Sequence, residues 1–593
     1  MTTGAAAFVG RVDELQRLRD AAAALARGES SLVLVEGDAG AGKTRLLAEI
    51  TQPPFLQRGL SAAVCGALDY ARAPYAPIRD LLLALDKRFP KILKNDPGLT
   101  AALGPVLQTK PFASPQDGAE QRRVLDAVVG ALRKFTAAAP LVLAIEDVHW
   151  IDRASADVLI HVARSLATMR ALLFVSFRGT DAQEDEQAQY LLGQLGRSAS
   201  VTLSLAPLSR PDAFILIDDV ATASISMQVR RHICDLADGN PLLLIEFTKL
   251  ACENPAALHG SLPITLKALV AERLSRFTER DVDVLRVAAA MGEFDPGMLA
   301  EIAGVPVANV IATLRKARSA SIVEERRVGG APFVFRHALI RHAITEDLLA
   351  VEVADLHRRV GERLEAAGSA QTARLAFHFW HAGDRAKLQQ YNERAAGEAF
   401  ERFAFSDAAT YYERAIDARP LSQETFDLYR RWAEACTRAH RSVDAVNITE
   451  QLFAYAAAGT DGVLIANIGF ELSRRRYTLL DDDGALATIT RTIALVDASA
   501  YPSAVFNLHA THGWYLAQLR RLDEGRAALM RAEPLIDRGD ADALVRYYET
   551  AAAMKVHANG DPAYRADLNR ALEIAHELGP AIELKRLNTA VAL

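Results

Sequence analysis

Residues 32–50 read LVLVEGDAGAGKTRLLAEI: an apolar run, a glycine-rich loop and the start of an amphipathic segment. Gly37-Asp38-Ala39-Gly40-Ala41-Gly42-Lys43-Thr44 fits G-x-x-x-x-G-K-[ST] at every fixed position, after a predicted strand and opening a predicted helix. That is the context in which this spacing binds phosphate. The glycines let successive backbone N–H groups turn inward as a nest, and the helix N-terminus behind them adds partial positive charge. Lys43 supplies an ammonium for the outer phosphates, Thr44 a hydroxyl for a magnesium ion, and Arg45 adjoins them in the expected nucleotide-binding set. The competing reading is a glycine-rich strand-to-helix turn with an incidental lysine, which the complete motif in its proper context disfavours.

A magnesium–nucleotide site also needs carboxylate at the tip of a neighbouring strand. LVLAIEDVHW (141–150) delivers Glu146 and Asp147 directly after five apolar residues. One acid is expected to hold the metal and the other to orient the attacking water; their order alone does not assign the roles, so both are read as metal-binding and catalytic. Arg178 closes the run LLFVSFR (172–178), at the carboxyl edge where ligands of open α/β sheets sit. It is read as a sensor of the γ-phosphate, with a solvated arginine as the alternative. Asp152 reads as the N-cap of the next helix rather than as a catalytic acid. His378, His381 and Asp384 have a spacing that a metal would accept, but the aromatic residues between them and Gly383 read as packing and a helix C-terminus. Ser155 and Ser176 show no nucleophile context, so hydrolase chemistry other than on a nucleotide finds no support.

The chain of 593 residues is too long for one core, and roughly 150 residues per domain predicts several modules. A formal charge of -6 spread over that length gives no global pull toward nucleic acid or anionic lipid. Cys65, Cys234, Cys252 and Cys436 lie far apart with no C-x-x-C pair, so they read as buried thiols of a reducing cytosol. No signal-peptide pattern or apolar run of about 18 residues occurs, which predicts a cytoplasmic protein without a membrane partner.

From about Val9 to Leu208, apolar runs at 31–37, 61–68, 140–147, 171–179 and 201–208 alternate with amphipathic segments, the rhythm of a parallel α/β sheet. Beyond Leu208 the strand signal fades. Three helices and a glycine-turned hairpin within 276–350 spell a winged helix, whose Arg315, Lys316 and Arg318 would be its DNA-facing residues or, more simply, a solvated helix face. Farther on, Ala408, Ala445, Ala485, Gly525 and Arg565 fall in register at spacings of 37 to 40 residues, an internal repeat of helical hairpins whose small residues mark close helix approach. Arg565 breaks the pattern and reads as part of a cap. Such a solenoid offers a concave surface for a protein or ligand.

With these residues in hand, the chain resembles the signal-transduction ATPases with numerous domains (the STAND class, related to AAA+), and within them the large ATP-binding regulators of the LuxR type. The stretches that carry the likeness are FVGRVDELQRL, GDAGAGKTRLL, APYAPIRDLLLAL, LVLAIEDVHWIDRASADVL, GNPLLLIEF, LPITLKALVAERLSRF and FVFRHALIRHAITEDLL, spanning Phe8 to about Ala366. The resemblance implies a P-loop ATPase domain at 8–208, a helical lid at 209–275, a winged helix at 276–350 and TPR-like helical repeats at 351–593. It implies that Val9, Gly10 and Arg11 flank the adenine, that the Gly239-Asn240-Pro241 turn of the lid closes over the base, and that His337 reaches the phosphates. Read locally, Gly239 to Pro241 is a helix stop and start, and His337 a core histidine. The usual pair of aspartates in relatives appears here as Glu146-Asp147.

The expectation is a switch that binds ATP or ADP with Mg2+, hydrolyses slowly and controls transcription. A protein partner or small-molecule inducer would act on the repeats, and self-association could accompany activation. The tail ALEIAHELGPAIELKRLNTAVAL lacks the helix-turn-helix pattern of LuxR-type regulators, so DNA would be reached only through a domain not visible in this chain. The alternative is an interaction scaffold in which nucleotide is a structural cofactor. A processive motor is disfavoured because no second catalytic arginine can be placed at a ring interface.

Overall fold

The computed structural model describes residues 8–52, 60–67, 73–107, 120–253, 273–274, 276–320, 322–325, 332–336, 338–368, 371–416, 419–538, 541–559 and 563–578. They fall into two compact units, one ending at Asp407 and one beginning at Ala408.

The five expected apolar runs form five strands: β1 (Ser31–Glu36), β2 (Ser61–Gly66), β3 (Leu141–Glu146), β4 (Ala171–Phe177) and β5 (Val201–Ser204). All pairings are parallel and the order is β2-β3-β4-β1-β5. β1, β3 and β4 are interior strands buried along nearly their whole length, which is why they read as continuous apolar runs rather than alternating ones. Helices α1 (Val12–Ala26) and α2 (Lys43–Ile50) cover one face through Leu18, Leu25, Leu46 and Ile50, against Val33, Val35, Val142 and Phe174. The chain leaves β1 for the far edge and later returns to β1's flanks. The order therefore reverses beside β1, and the carboxyl ends of β1, β3 and β4 make the crevice where such sheets bind ligands.

The sequence placed the two acids on a strand neighbouring the phosphate loop. That detail needs correction: β4 lies between β1 and β3, so the direct neighbour carries Arg178 and the acids sit one strand farther out.

Helices Arg210–Val220, Met227–Ala237 and Pro241–Glu253 follow, packed on Leu216, Ile217, Ile233, Leu244 and Phe247. Next come helices Glu279–Met291, Pro296–Ala303 and Val307–Ser319 and an antiparallel sheet ordered β6 (Glu293–Phe294), β8 (Phe333–Phe335), β7 (Val323–Glu325). β7 and β8 are the expected hairpin arms, and β6 is an addition too short for periodicity to register. Lys316 pairs with Asp281 at 3.0 Å and Arg318 with Glu325 at 3.2 Å, so two of the three cations on this helix are engaged within the chain.

The first unit closes on itself near its end. Arg402 Nε donates to Pro105 O and Arg402 NH2 to Pro74 O, both at 2.9 Å. Asp407 accepts from the amides of Arg153 (3.2 Å) and Ala154 (2.9 Å), beside the N-cap Asp152, which accepts from Ser155 and Tyr75. Two carboxyls thus share one helix N-terminus, and burial, with Asp152 adding to it, pushes the Asp407 carboxyl's pKa up.

The second unit is a succession of helices from Phe426–Arg438 to Tyr564–Leu578. Ala408, Ala445 and Ala485 are buried at the repeat positions, and a Cβ on Gly525 would press on Met554. Arg565 is exposed, as expected of a position outside the pattern. Five residues before Ala445, Ala485 and Gly525, the chain turns through His440, Leu480 and Arg520 with φ of 58°, 62° and 61°. Left-handed backbone costs an L-residue roughly 1–2 kcal/mol, which glycine avoids at the expense of some entropy. Leu480 is 87% exposed and its side chain contributes little packing. Leu480→Gly is expected to stabilise the chain by about 0.5–1 kcal/mol, seen as a higher urea midpoint; a lower midpoint would show that the leucine packs.

Among the described residues no single helix is long and apolar enough to cross a membrane.

Candidate functional site

β1 delivers Gly37 to the carboxyl edge, and the loop turns through Gly40 (φ 83°) and Gly42 (φ 98°) into α2. Lys43, the first residue of α2, folds back over this loop: its Nζ donates to Gly37 O at 2.6 Å and Asp38 O at 3.1 Å. The side chain is buried, and burial lowers the ammonium's pKa while Asp147 opposes the shift. Arg45 lies over the Phe8 ring (6.0 Å) and pairs with Glu49 at 3.5 Å, so its guanidinium serves the adjoining segment at least as much as the loop.

Glu146 ends β3 and Asp147 begins the turn after it, at φ 54°. The turn is fixed by the Asp147 amide donating to Ser176 Oγ of β4 at 3.2 Å. The two carboxyls face different neighbours. Glu146 is pushed up by burial, while a hydrogen bond with Thr44 pulls it down; its Oε1 is buried without a hydrogen-bond partner. Asp147 is also pushed up by burial, and the charges of Lys43 and Arg178 pull it down. Glu146 thus sides with the hydroxyl expected on the metal, and Asp147 with the two cations expected on the phosphates. An all-oxygen set of Thr44 and an orphaned carboxylate oxygen fits magnesium, which takes one or two carboxylates together with phosphate oxygens. Among the described residues, no group of three His, Cys, Asp or Glu side chains forms a metal cage. His378 instead meets His357, Nδ1 to Nδ1 at 3.0 Å, and Asp384 caps the following helix.

Arg178 follows β4. Its guanidinium carbon lies 4.7 Å from the Trp150 ring centroid, and NH1 is 3.3 Å from Asp181 Oδ2. The sequence named Arg178 but not Trp150 or Asp181, whose roles depend on where β4 places the arginine.

Two further segments converge on the loop. Arg11, at φ 61°, reaches Ala41 O through NH2 at 3.2 Å and Glu14 through NH1 at 3.2 Å. Phe8 packs against the sheet core and Val9 against the core of the three helices between Arg210 and Glu253, with Gly10 between Leu208 and Asp212. From the other side comes Gly239-Asn240-Pro241. Gly239 (φ 69°) accepts from the Leu208 amide at 2.8 Å, and a side chain there would strike Leu208 O. Asn240 caps helix Pro241–Glu253 through Oδ1 and donates from Nδ2 to Ala39 O at 2.9 Å. The fit is close: a Cβ on Gly40 would lie 2.7 Å from Asn240 Oδ1 and 2.8 Å from Leu242 Cβ. The sequence named the turn as a whole, Gly239 to Pro241; the side chain of it that reaches the loop is that of Asn240. His337 lies outside the described residues.

A Signal Transduction ATPase with Numerous Domains protein with a tetratricopeptide repeat sensor, from Pyrococcus horikoshii, is similar over 98% of this chain and 79% of its own, at 15% identity and a TM-score of 0.45. A Walker-type ATPase of Pyrococcus abyssi is similar over 57% of this chain and 96% of its own, at 15% identity and a TM-score of 0.30. An uncharacterized protein of Rhizobium meliloti (strain 1021) is 26% identical across 69% of this chain, and the chain spans 42% of that relative's length. Residues 7–175, which hold the phosphate loop, both acids and β4 as far as Val175, match the AAA ATPase domain family.

Proposed function

We propose that the chain is an ATP-binding signalling switch of the STAND class, hydrolysing ATP slowly to reset itself. Residues 37–44 would hold the phosphates, Glu146 and Thr44 the magnesium ion, Asp147 the attacking water, and Arg178 the γ-phosphate. Val9 to Arg11 and the Gly239–Pro241 turn would enclose the base. The boundaries 8–208, 209–275, 276–350 and 351–593, with their winged-helix and TPR-like character, belong to this proposal. So do output as a LuxR-type transcription regulator, control by a ligand or protein on the repeats, and self-association on activation.

One observation carries the reading: the lid's Asn240 is hydrogen-bonded to the phosphate loop at Ala39. Whatever fills the loop therefore bears on the lid, and a nucleotide shifts a domain equilibrium only through such differential contacts. Hydrogen exchange with Mg–ADP and with Mg–AMP-PNP tests it. The two states should differ in protection at residues 239–247 and 8–14; identical protection with both nucleotides bound would favour the scaffold, with nucleotide as a structural cofactor.

A further inference from the structure

Arg178 is held on two sides. The Trp150 ring lies under its guanidinium at 4.7 Å, and Asp181 Oδ2 is 3.3 Å from NH1. The same Asp181 oxygen is 3.4 Å from Nε2 of His149, whose side chain is wholly buried and whose ring packs on Trp150 at 4.4 Å. His149 and Trp150 stand in the turn that follows the two acids, and Asp181 in the first turn of helix Gly179–Glu184, which follows β4. The bracket is therefore built from the ends of β3 and β4. It borders the phosphate cradle, since Lys43 and Asp147 both feel the charges of Arg178 and Asp181. Arg178 Nε is buried without a hydrogen-bond partner, so the guanidinium retains donor capacity beyond the bond to Asp181.

We propose that Asp181 competes with the third phosphate for Arg178, so that the bracket sets the preference between nucleoside di- and triphosphate. Trp150 and His149 are positioning residues: Trp150 keeps the guanidinium at the sheet edge, and His149 keeps the Asp181 carboxylate in place when the arginine turns to phosphate. The inference rests on the ATP-site reading above. A guanidinium pairs with carboxylate or with phosphate through the same fork of donors, and the phosphate carries more charge. Asp181 is 40% exposed, and pairs open to solvent are weak enough to exchange. The ring face stabilises the cation in either arrangement. A diphosphate leaves the Arg178–Asp181 pair intact, whereas a triphosphate must break it, so Asp181 weakens triphosphate binding only.

Calorimetry of the full chain with Mg–ADP and Mg–AMP-PNP tests this, using Asp181→Asn, Arg178→Gln, Trp150→Phe, Trp150→Leu and the Asp181→Asn/Arg178→Gln double variant. Asp181→Asn is expected to tighten AMP-PNP binding about threefold to tenfold with ADP changed less than twofold. That gain should vanish when Arg178 is glutamine. Trp150→Leu should weaken AMP-PNP selectively and Trp150→Phe should restore part of the loss, a pattern that a general folding defect would not give. Equal changes for both nucleotides, or a gain that persists without Arg178, would overturn the proposal while leaving the nucleotide site standing. Wild-type protein that binds neither nucleotide would overturn both.

Discussion

Lys43→Ala is expected to weaken both Mg–ATP and Mg–ADP by about 100-fold or more, because it removes a buried charged donor from inside the loop. Lys43 Nζ already lies inside the loop, on the carbonyls of Gly37 and Asp38. Bound phosphate would take over the ammonium from those carbonyls, exchanging neutral acceptors for charged ones. Burial makes the charged form costly, and Asp147 offsets part of that cost; a position tuned this way suits an anionic ligand better than bulk solvent. Lys43→Arg should not rescue binding, since a planar fork does not occupy the place of a compact ammonium. Titration calorimetry or filter binding checks the result, with circular dichroism to confirm folding. Affinity retained within about threefold in the alanine variant would contradict the phosphate assignment.

The second large effect separates the two acids. Asp147→Asn is expected to lower steady-state ATP hydrolysis about 100-fold or more, with nucleotide affinity changed little, as for loss of a general base or water-orienting group. Glu146→Gln is expected instead to raise the magnesium concentration needed for half-maximal nucleotide binding, because it removes the orphaned oxygen beside Thr44. The assignment fails if the two variants exchange these phenotypes. Burial raises both pKa values. Metal binding requires the ionised forms, so magnesium affinity should fall on acidification, beginning at a higher pH than for free carboxylates. In Glu146→Gln the part of that dependence due to Glu146 should disappear.

What could be read from the sequence divides along physical lines. The phosphate loop was legible because its glycines and lysine have a fixed spacing between a strand and a helix, and the three interior strands because double-sided burial gives unbroken apolar runs. Strand order was not legible: it depends on which crossovers pack, so β4 lying between β1 and β3 appeared only in three dimensions. The same limit hid Trp150, which follows the acids in sequence but gains its role from an arginine 28 residues later. Asn240 before Pro241 is locally a helix cap, and it is one; its second bond, to Ala39, is a tertiary contact with no local signature. In the repeats the small residues at 408, 445, 485 and 525 announced close packing. The left-handed turns at His440, Leu480 and Arg520 were silent because no glycine marks them.

The most direct test of the central claim is a structure of the full chain with Mg–AMP-PNP, read at one atom. Lys43 Nζ is expected to leave the carbonyls of Gly37 and Asp38 and lie within hydrogen-bond distance of the outer phosphates, with the metal between Thr44 and Glu146. A chain grown in saturating nucleotide with Lys43 still on those two carbonyls, and the analogue bound elsewhere or not at all, would contradict it.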